Sequence, residues 1–350
     1  MKERINKISK TLKEWEYKKP GPARILLDPT DNCNLNCLFC WRNDSNQVKE
    51  EISDERLLEL VNEAVSLGVK EWVISGGGDP FSRKRILMQL IRKIKEKGMW
   101  GQVITNGTLL DNKSISDLID VGWDQVQVSL DGPRKVHDFL RGKKGTFNKV
   151  IQTIKLFNKY KKELNKTKPH IGFNVVLCNK NYKYISYLIK LAYQFGCNQV
   201  WFEMVAPWSE EAKKLQFSEN ERKKLDAYIK KGKVLADRLN LWTNIHYYLF
   251  EDLSGDTVSN EKEDNLENYC LAPWFSVKIH PTGVAGPCCS FYRHESLGNI
   301  KNDSLRKIWY RNFEKLRRSI LEKKLPLYCK DCTEGQKREL VEIKGKIASM

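Results

Sequence analysis

Seven of the ten cysteines fall into two sets whose spacing can hold metal. Cys33, Cys37 and Cys40 make a Cys-x-x-x-Cys-x-x-Cys frame inside the stretch Asp31 to Trp41. A structural zinc site closes with four protein ligands, whereas three soft thiolates leave one metal position for something that is not protein. The run Arg24 to Asp28 ahead of them reads as a buried strand. The cysteines therefore fall on the loop leaving its C-terminal end, where α/β folds place their chemistry. That placement points to an iron-sulfur cluster with an open iron, with zinc binding or packing as the plainer alternative. The second set is Cys270, Cys288 and the pair Cys329 and Cys332. A strand from Trp274 to His280, a turn at Pro281-Thr282-Gly283 and Val284 to Gly286 form a hairpin ahead of Cys288 and Cys289. With a helix from Ser304 to Leu321, this unit can bring four thiolates to one centre, and both zinc and a 4Fe-4S cluster accept four cysteines.

Positioning these groups requires alternating strands and helices. The expected strands are Arg24 to Asp28, Val69 to Ser75, Trp100 to Thr105, Gln125 to Leu130, Ile171 to Leu177 and Gln199 to Met204. Helices are expected from Ser53 to Gly68, Arg83 to Lys97, Asn112 to Val121, Thr146 to Tyr160 and Tyr182 to Phe195. This alternation argues for a parallel sheet with right-handed crossovers, as a six-unit open barrel or a doubly wound sheet. Polar groups recur just after the strands. Ser75-Gly76-Gly77-Gly78-Asp79 lets backbone approach a ligand and sets a carboxylate beside it that could accept from an ammonium group. Asn106-Gly107 follows the third strand, and Ser129-Leu130-Asp131-Gly132 the fourth; both could equally be ordinary turns.

The cysteine frame, with Phe39 just before its third cysteine, resembles the signature of the radical S-adenosylmethionine (radical SAM) superfamily. The resemblance covers about Arg24 to Val205 and implies an α/β fold, a partial (β/α)6 barrel. It implies that Cys33, Cys37 and Cys40 hold a 4Fe-4S cluster whose open iron binds SAM, and that one electron cleaves SAM to a 5′-deoxyadenosyl radical. Gly76, Gly77, Gly78 and Asp79 resemble the family's Gly-Gly-Glu motif for the SAM amino group, although Asp79 is one methylene shorter. Ser129, Asn106 and Asp131 then face the ribose or methionine end. His137-Asp138-x-x-Arg141-Gly142 is similar to a segment of the peptide- and sugar-modifying branch, in which the arginine pairs with the SAM carboxylate; a guanidinium fork suits that task. Phe39 is a candidate adenine wall; Val176 and Met204 are better read as core. Cys270 through Gly283 to Cys288 resembles a SPASM domain. Because no cysteine follows Cys332, the unit is similar to the single-cluster twitch variant, with Cys270, Cys288, Cys329 and Cys332 on one auxiliary 4Fe-4S cluster. Of the remaining cysteines, Cys197, at the start of the sixth strand, reads as packing, and Cys289 could substitute for Cys288, face the substrate or simply pack. Cys178, at the end of the fifth strand, is placed where a thiol could return a hydrogen atom to a substrate radical.

The domains implied are an N-terminal amphipathic helix (1–22, with Ile5, Ile8, Leu12 and Trp15 on one face), a barrel (23–205), a helical and acidic linker (206–268), an auxiliary-cluster domain (269–335) and a tail (336–350). No apolar run approaches the length of a membrane span, and the N-terminus lacks a signal-peptide core, so a cytoplasmic protein is expected. In that compartment cysteines bind metal more often than they form disulfides. The chain carries 61 Lys and Arg against 44 Asp and Glu, a net charge of +17. This favours anionic partners or simply marks solvated helix faces. A flavodoxin- or ferredoxin-type electron donor is expected. A ribosomal peptide with an acidic leader is the first expectation for the substrate, and a sugar-like metabolite the second. An RNA-modifying enzyme lacks support from any appended nucleic-acid module, and a non-enzymatic cluster carrier would not need Gly76 to Asp79 or Arg141.

Overall fold

The computed structural model describes residues 14–15, 18–44, 50–249, 270–289, 291, 296–322, 324, 326 and 329. In chain order the principal elements are β1 (Arg24–Leu27), α1 (Asp54–Ser66), β2 (Glu71–Ile74), α2 (Lys84–Glu96), β3 (Trp100–Thr105), α3 (Asn112–Asp120), β4 (Gln125–Ser129), α4 (Arg134–Leu140) and α5 (Thr146–Glu163). They continue with β5 (His170–Leu177), α6 (Ile185–Gln194), β6 (Gln199–Met204), α7 (Glu219–Arg238), β7 (Trp242–Thr243), β8 (Ser276–Ile279), β9 (Ala285–Gly286) and α8 (Phe313–Leu321). The expected strand–helix alternation from β1 to β6 is present, with ends shifted by up to three residues: α5 runs on to Glu163, and α6 starts at Ile185 after a tighter turn at Tyr182–Tyr184.

Local chemistry explains the helix limits. Ser53 caps α1 by accepting from the Arg56 amide, and Asp54 and Glu55 sit in its first turn, where the helix dipole favours negative charge. Leu57, Leu60, Val61 and Ala64 form its buried face. α7 starts at a capping box, in which the Ser218 hydroxyl accepts from the Glu221 amide and the Glu221 carboxylate accepts from the Ser218 amide.

Two compact units emerge. The first draws on 1–31, 48–101 and 262–350. In it β1 lies between β2 and β8, parallel to both, with Leu26 opposite Val73 on one side and Lys278 on the other. β9 closes a hairpin on β8. The auxiliary segment therefore shares a sheet with the first barrel strand. The second unit draws on 32–47 and 102–261. There β3, β4, β5, β6 and β7 run parallel in that order. Ile171, Phe173, Val175 and Leu177, alternate residues that share one face of β5, are fully buried.

Several elements depart from expectation. Residues Ala272–Phe275 form a helical turn with Pro273 at its start, so the strand read from Trp274 begins at Ser276. The helix read from Ser304 to Leu321 contains a widened turn at Ile308–Asn312. α4 and the short β7 were not expected. Of the first helix, Glu14, Trp15 and Lys18 are helical, while Ile5, Ile8 and Leu12 lie outside the described residues. So do the acidic run from Glu251 to Asn268, Cys332 and the tail 336–350. Among the described residues no helix is long and apolar enough to cross a membrane.

Candidate active site

In the second unit, the three-cysteine loop is held from several sides. The Leu38 amide donates to the Leu140 carbonyl at the end of α4 (3.0 Å), and the Cys40 amide to the Cys37 carbonyl (3.0 Å). Asn106, just beyond β3, donates through Nδ2 to Asn34 Oδ1 (3.0 Å) and lies 3.7 Å from Cys33 Sγ. Asn34 in turn donates to Thr108 Oγ1 (2.9 Å), so the turn after β3 and the cysteine loop are laced together. Gly142 explains the closeness of the other flank. Its φ is +67°, and a Cβ there would lie 2.2 Å from the Asn36 carbonyl oxygen.

Arg141 is the central cation of this constellation and only 6% exposed. Its Nε donates to Asp131 Oδ2 (2.6 Å), its Nη1 lies 3.8 Å from Cys37 Sγ, and its guanidinium stands 5.1 Å from the Phe39 ring centroid. Nη2 is buried without a hydrogen-bond partner. Asp131, expected at the ribose or methionine end of SAM, is the partner of Arg141. Its other oxygen accepts from the Val176 amide (2.9 Å), and the residue is fully buried. His137 Nδ1 accepts from the Asp131 amide (3.1 Å), and Asn181 Nδ2 donates to the Asp131 carbonyl (2.9 Å). Burial works to raise the Asp131 carboxyl, but Arg141 and His137 outweigh it and hold it below the ordinary carboxylate range. Burial likewise opposes the Arg141 charge, while Asp131 and then Cys37 raise its affinity for the proton. Burial, with Cys40, Asp131 and Cys33 adding to it against the pull of Arg141, pushes the Cys37 thiol up to about 11. Ser129 ends β4 and is buried.

In the first unit, the glycine loop after β2 follows the same pattern of close approach. The Gly78 amide donates to the Thr30 carbonyl (2.8 Å), and a Cβ at Gly77 would lie 1.7 Å from Asp31 Oδ1. Asp79 is buried, and its Oδ1 accepts from the Phe81 amide (3.0 Å), capping the short helix Pro80–Arg83. Beside this loop is a polar cluster that the motifs did not signal. Asp28 Oδ1 accepts from Lys278 Nζ (2.5 Å) and from Ser75 Oγ (3.0 Å). His280 Nε2 stands 3.7 Å from Asp31 Oδ2. Ser276, Lys278 and His280 alternate with Val277 and Ile279, and this polar row on a buried strand was the available signal. Burial lowers the His280 pKa to about 4, so the ring is neutral at pH 7.

The auxiliary cysteines in the same unit gather on one apolar cluster. Cys270, Cys288 and Cys329 pack, with Trp15 and Leu297, against Trp274, Phe291, Leu316 and Ile320. Cys178 is fully buried with Leu140, Val205, Ala212 and Leu215, and burial pushes its thiol up to about 12. Cys197 is buried and also pushed up to about 12, first by burial.

Among the described residues no three His, Cys, Asp or Glu side chains already stand in metal-ligating geometry. The donor sets nevertheless fit iron-sulfur centres. Three soft sulfurs share one loop, with an amide and a guanidinium nitrogen within reach of two of them, and three more pack against one apolar cluster.

Comparison with known proteins agrees with this division. Residues 27–192 match the Radical SAM superfamily and residues 270–333 the SPASM iron-sulfur cluster-binding domain. The chain thus carries a radical SAM domain and a SPASM-type auxiliary cluster domain on an α/β core. It is 33% identical over 140 residues to Fe-coproporphyrin III synthase of Methanosarcina barkeri, a stretch that spans 40% of this chain and 35% of that protein. It is 26% identical over 350 residues to the cysteine-type anaerobic sulfatase-maturating enzyme of Clostridium perfringens, spanning 89% of this chain and 86% of that protein. In fold it resembles Streptococcus suis SuiB bound to its precursor peptide SuiA, with a TM-score of 0.67 at 18% identity over 88% of this chain and 70% of that one.

Proposed function

We propose that this protein is a radical SAM oxidoreductase acting on a peptide. Cys33, Cys37 and Cys40 hold a 4Fe-4S cluster. Cys270, Cys288, Cys329 and Cys332 hold an auxiliary one, in the single-cluster arrangement. Bound there, the catalytic cluster would supply the one electron that cleaves SAM reductively and so the 5′-deoxyadenosyl radical for removing a hydrogen atom from an unactivated carbon. The observation that carries this reading is the three-cysteine loop laced to Asn106 and backed by Arg141.

The chain's own residues orient and shield. Arg141, pinned through Nε by Asp131, keeps Nη2 for a SAM carboxylate oxygen. Asp131 is thereby a positioning residue. Asp79 and the glycines beside it receive the SAM ammonium, and Phe39 offers its ring to adenine. Ser129 stands near the ribose, and Cys178, held as the protonated thiol, is the candidate hydrogen-atom donor. A peptide substrate is supported by the likeness to a sulfatase-maturating enzyme and to a fold relative captured with a precursor peptide. The excess of basic residues suits an acidic leader and an acidic flavodoxin- or ferredoxin-type donor.

The test is anaerobic incubation of reconstituted protein with SAM and a strong reductant. Formation of 5′-deoxyadenosine by the unaltered protein, and its loss when Cys33, Cys37 and Cys40 are replaced by Ala, is expected. Formation by the triple variant at an undiminished rate would refute the assignment.

A further inference from the structure

Arg317, on α8, is a buried cation to which no anion is bonded among the described residues. It is 6% exposed. Nε donates to the Pro273 carbonyl (2.9 Å) and Nη1 to the Trp309 carbonyl (2.7 Å), while Nη2 is buried with no hydrogen-bond partner. Three rings enclose the guanidinium, with Trp309, Trp15 and Phe313 centroids 4.3, 4.4 and 5.5 Å away. Among the described residues no carboxylate lies within ion-pair distance of it; Glu314, one turn earlier, pairs with Arg318 and acts on Arg317 only from farther off. Arg141 differs in this respect, because Asp131 neutralises it at 2.6 Å.

Removing a guanidinium from water is costly even after relaxation. Two neutral carbonyls and aromatic faces recover only a part of that. A compensating negative charge nearby would complete the balance. The apolar cluster beside Arg317 carries the auxiliary cysteines. Leu316 and Ile320, which flank Arg317 on α8, belong to the apolar cluster against which Cys270, Cys288 and Cys329 pack. Trp15 packs on that same cluster and also stacks on Arg317. The Pro273 carbonyl that Arg317 grips lies just past Cys270. Four thiolates around a 4Fe-4S core carry net negative charge, and nearby charge and burial set the potential of such centres.

We infer that Arg317 is the buried counter-cation of the auxiliary cluster, a positioning residue that raises its reduction potential. The inference rests on the reading of that centre as iron-sulfur. It requires no contact with substrate or SAM.

The experiment uses the full chain with Cys33, Cys37 and Cys40 replaced by Ala, so that the auxiliary centre alone is observed by electron paramagnetic resonance during a redox titration. Arg317→Met should shift the reduced-to-oxidised ratio at a fixed poise about tenfold or more toward oxidised, about 59 mV for one electron. Arg317→Lys should stay near the parent. If Arg317→Met fails to fold, Arg317→Gln, polar and uncharged, carries the same comparison. A full iron complement with an unmoved potential in the uncharged variant, or an Arg317→Lys shift as large as that of the uncharged variant, overturns the counter-cation role and leaves the iron-sulfur reading standing. Zinc in place of iron in the parent overturns both.

Discussion

Asp131 has both carboxylate oxygens engaged, one by Arg141 and one by the Val176 amide. Asp131→Ala leaves a buried guanidinium uncompensated and should lower stability by about 3 to 5 kcal/mol. The conservative Asp131→Asn keeps the volume and should weaken SAM binding by loosening Arg141; unchanged SAM affinity in isothermal titration would remove it from that role. Asp79 offers a sharper choice. As a helix cap alone, its replacement by Ala costs about 0.5 to 2 kcal/mol of stability and leaves SAM affinity intact. If it also receives the SAM ammonium, affinity falls by a further factor corresponding to about 1.5 to 3 kcal/mol. His280 gives a pH signature. Its folded pKa of about 4 lies below the ordinary value, so between about 6.5 and about 4 the unfolded chain binds a proton that the folded chain refuses. Stability is therefore full above that window and lost as pH falls through it, on the order of 3 kcal/mol. His280→Gln should flatten this part of the curve of thermal midpoint against pH, and an identical slope would assign the effect elsewhere.

Gly142, just past the end of α4, shows how an element can act on a metal loop it does not belong to. Any side chain there must both adopt a left-handed backbone and displace the Asn36 carbonyl. Gly142→Ala should therefore shed iron from the first centre while sparing the auxiliary one, halving the total iron; full retention would show that the loop can yield. Much at this scale was legible beforehand. Apolar strands such as Ile171 to Leu177 and capped helices such as Asp54–Ser66 carry their own period and punctuation. The cysteine spacing and Arg141 could be read as short motifs. Lys278 and His280 could be read only as part of a polar row on one strand; their meeting with Asp28 depends on β8 lying against β1 some 250 residues away in sequence, a pairing no local pattern encodes. Arg317 escaped for the same reason. In a Lys- and Arg-rich helix only its packing among Trp15, Trp309 and Phe313 sets it apart from its solvated neighbours.

For the whole molecule, two centres of four irons each predict about eight irons in the anaerobic protein. About four irons with one zinc would leave the radical site intact and remove the auxiliary cluster. Replacing Cys329 and Cys332 should abolish the second centre and turnover of the true substrate, yet leave some uncoupled formation of 5′-deoxyadenosine. That last expectation applies to point substitutions and not to deletion. β8 is a parallel neighbour of β1 through Arg24↔Ser276 to Leu27↔Ile279. Residues 270–333 are a domain in sequence, but their first strand is a stave of the sheet that carries the cysteine loop's own leading strand. Cutting the chain before Cys270 would strip one side of β1 and expose Ile25 and Leu27 beside an unpaired edge, the usual template for aggregation. The auxiliary segment is thus not an exchangeable cassette. Chimeras that graft another SPASM segment onto this barrel should stay soluble only when the new strand keeps the alternation of Val277 and Ile279 with a polar partner for Asp28.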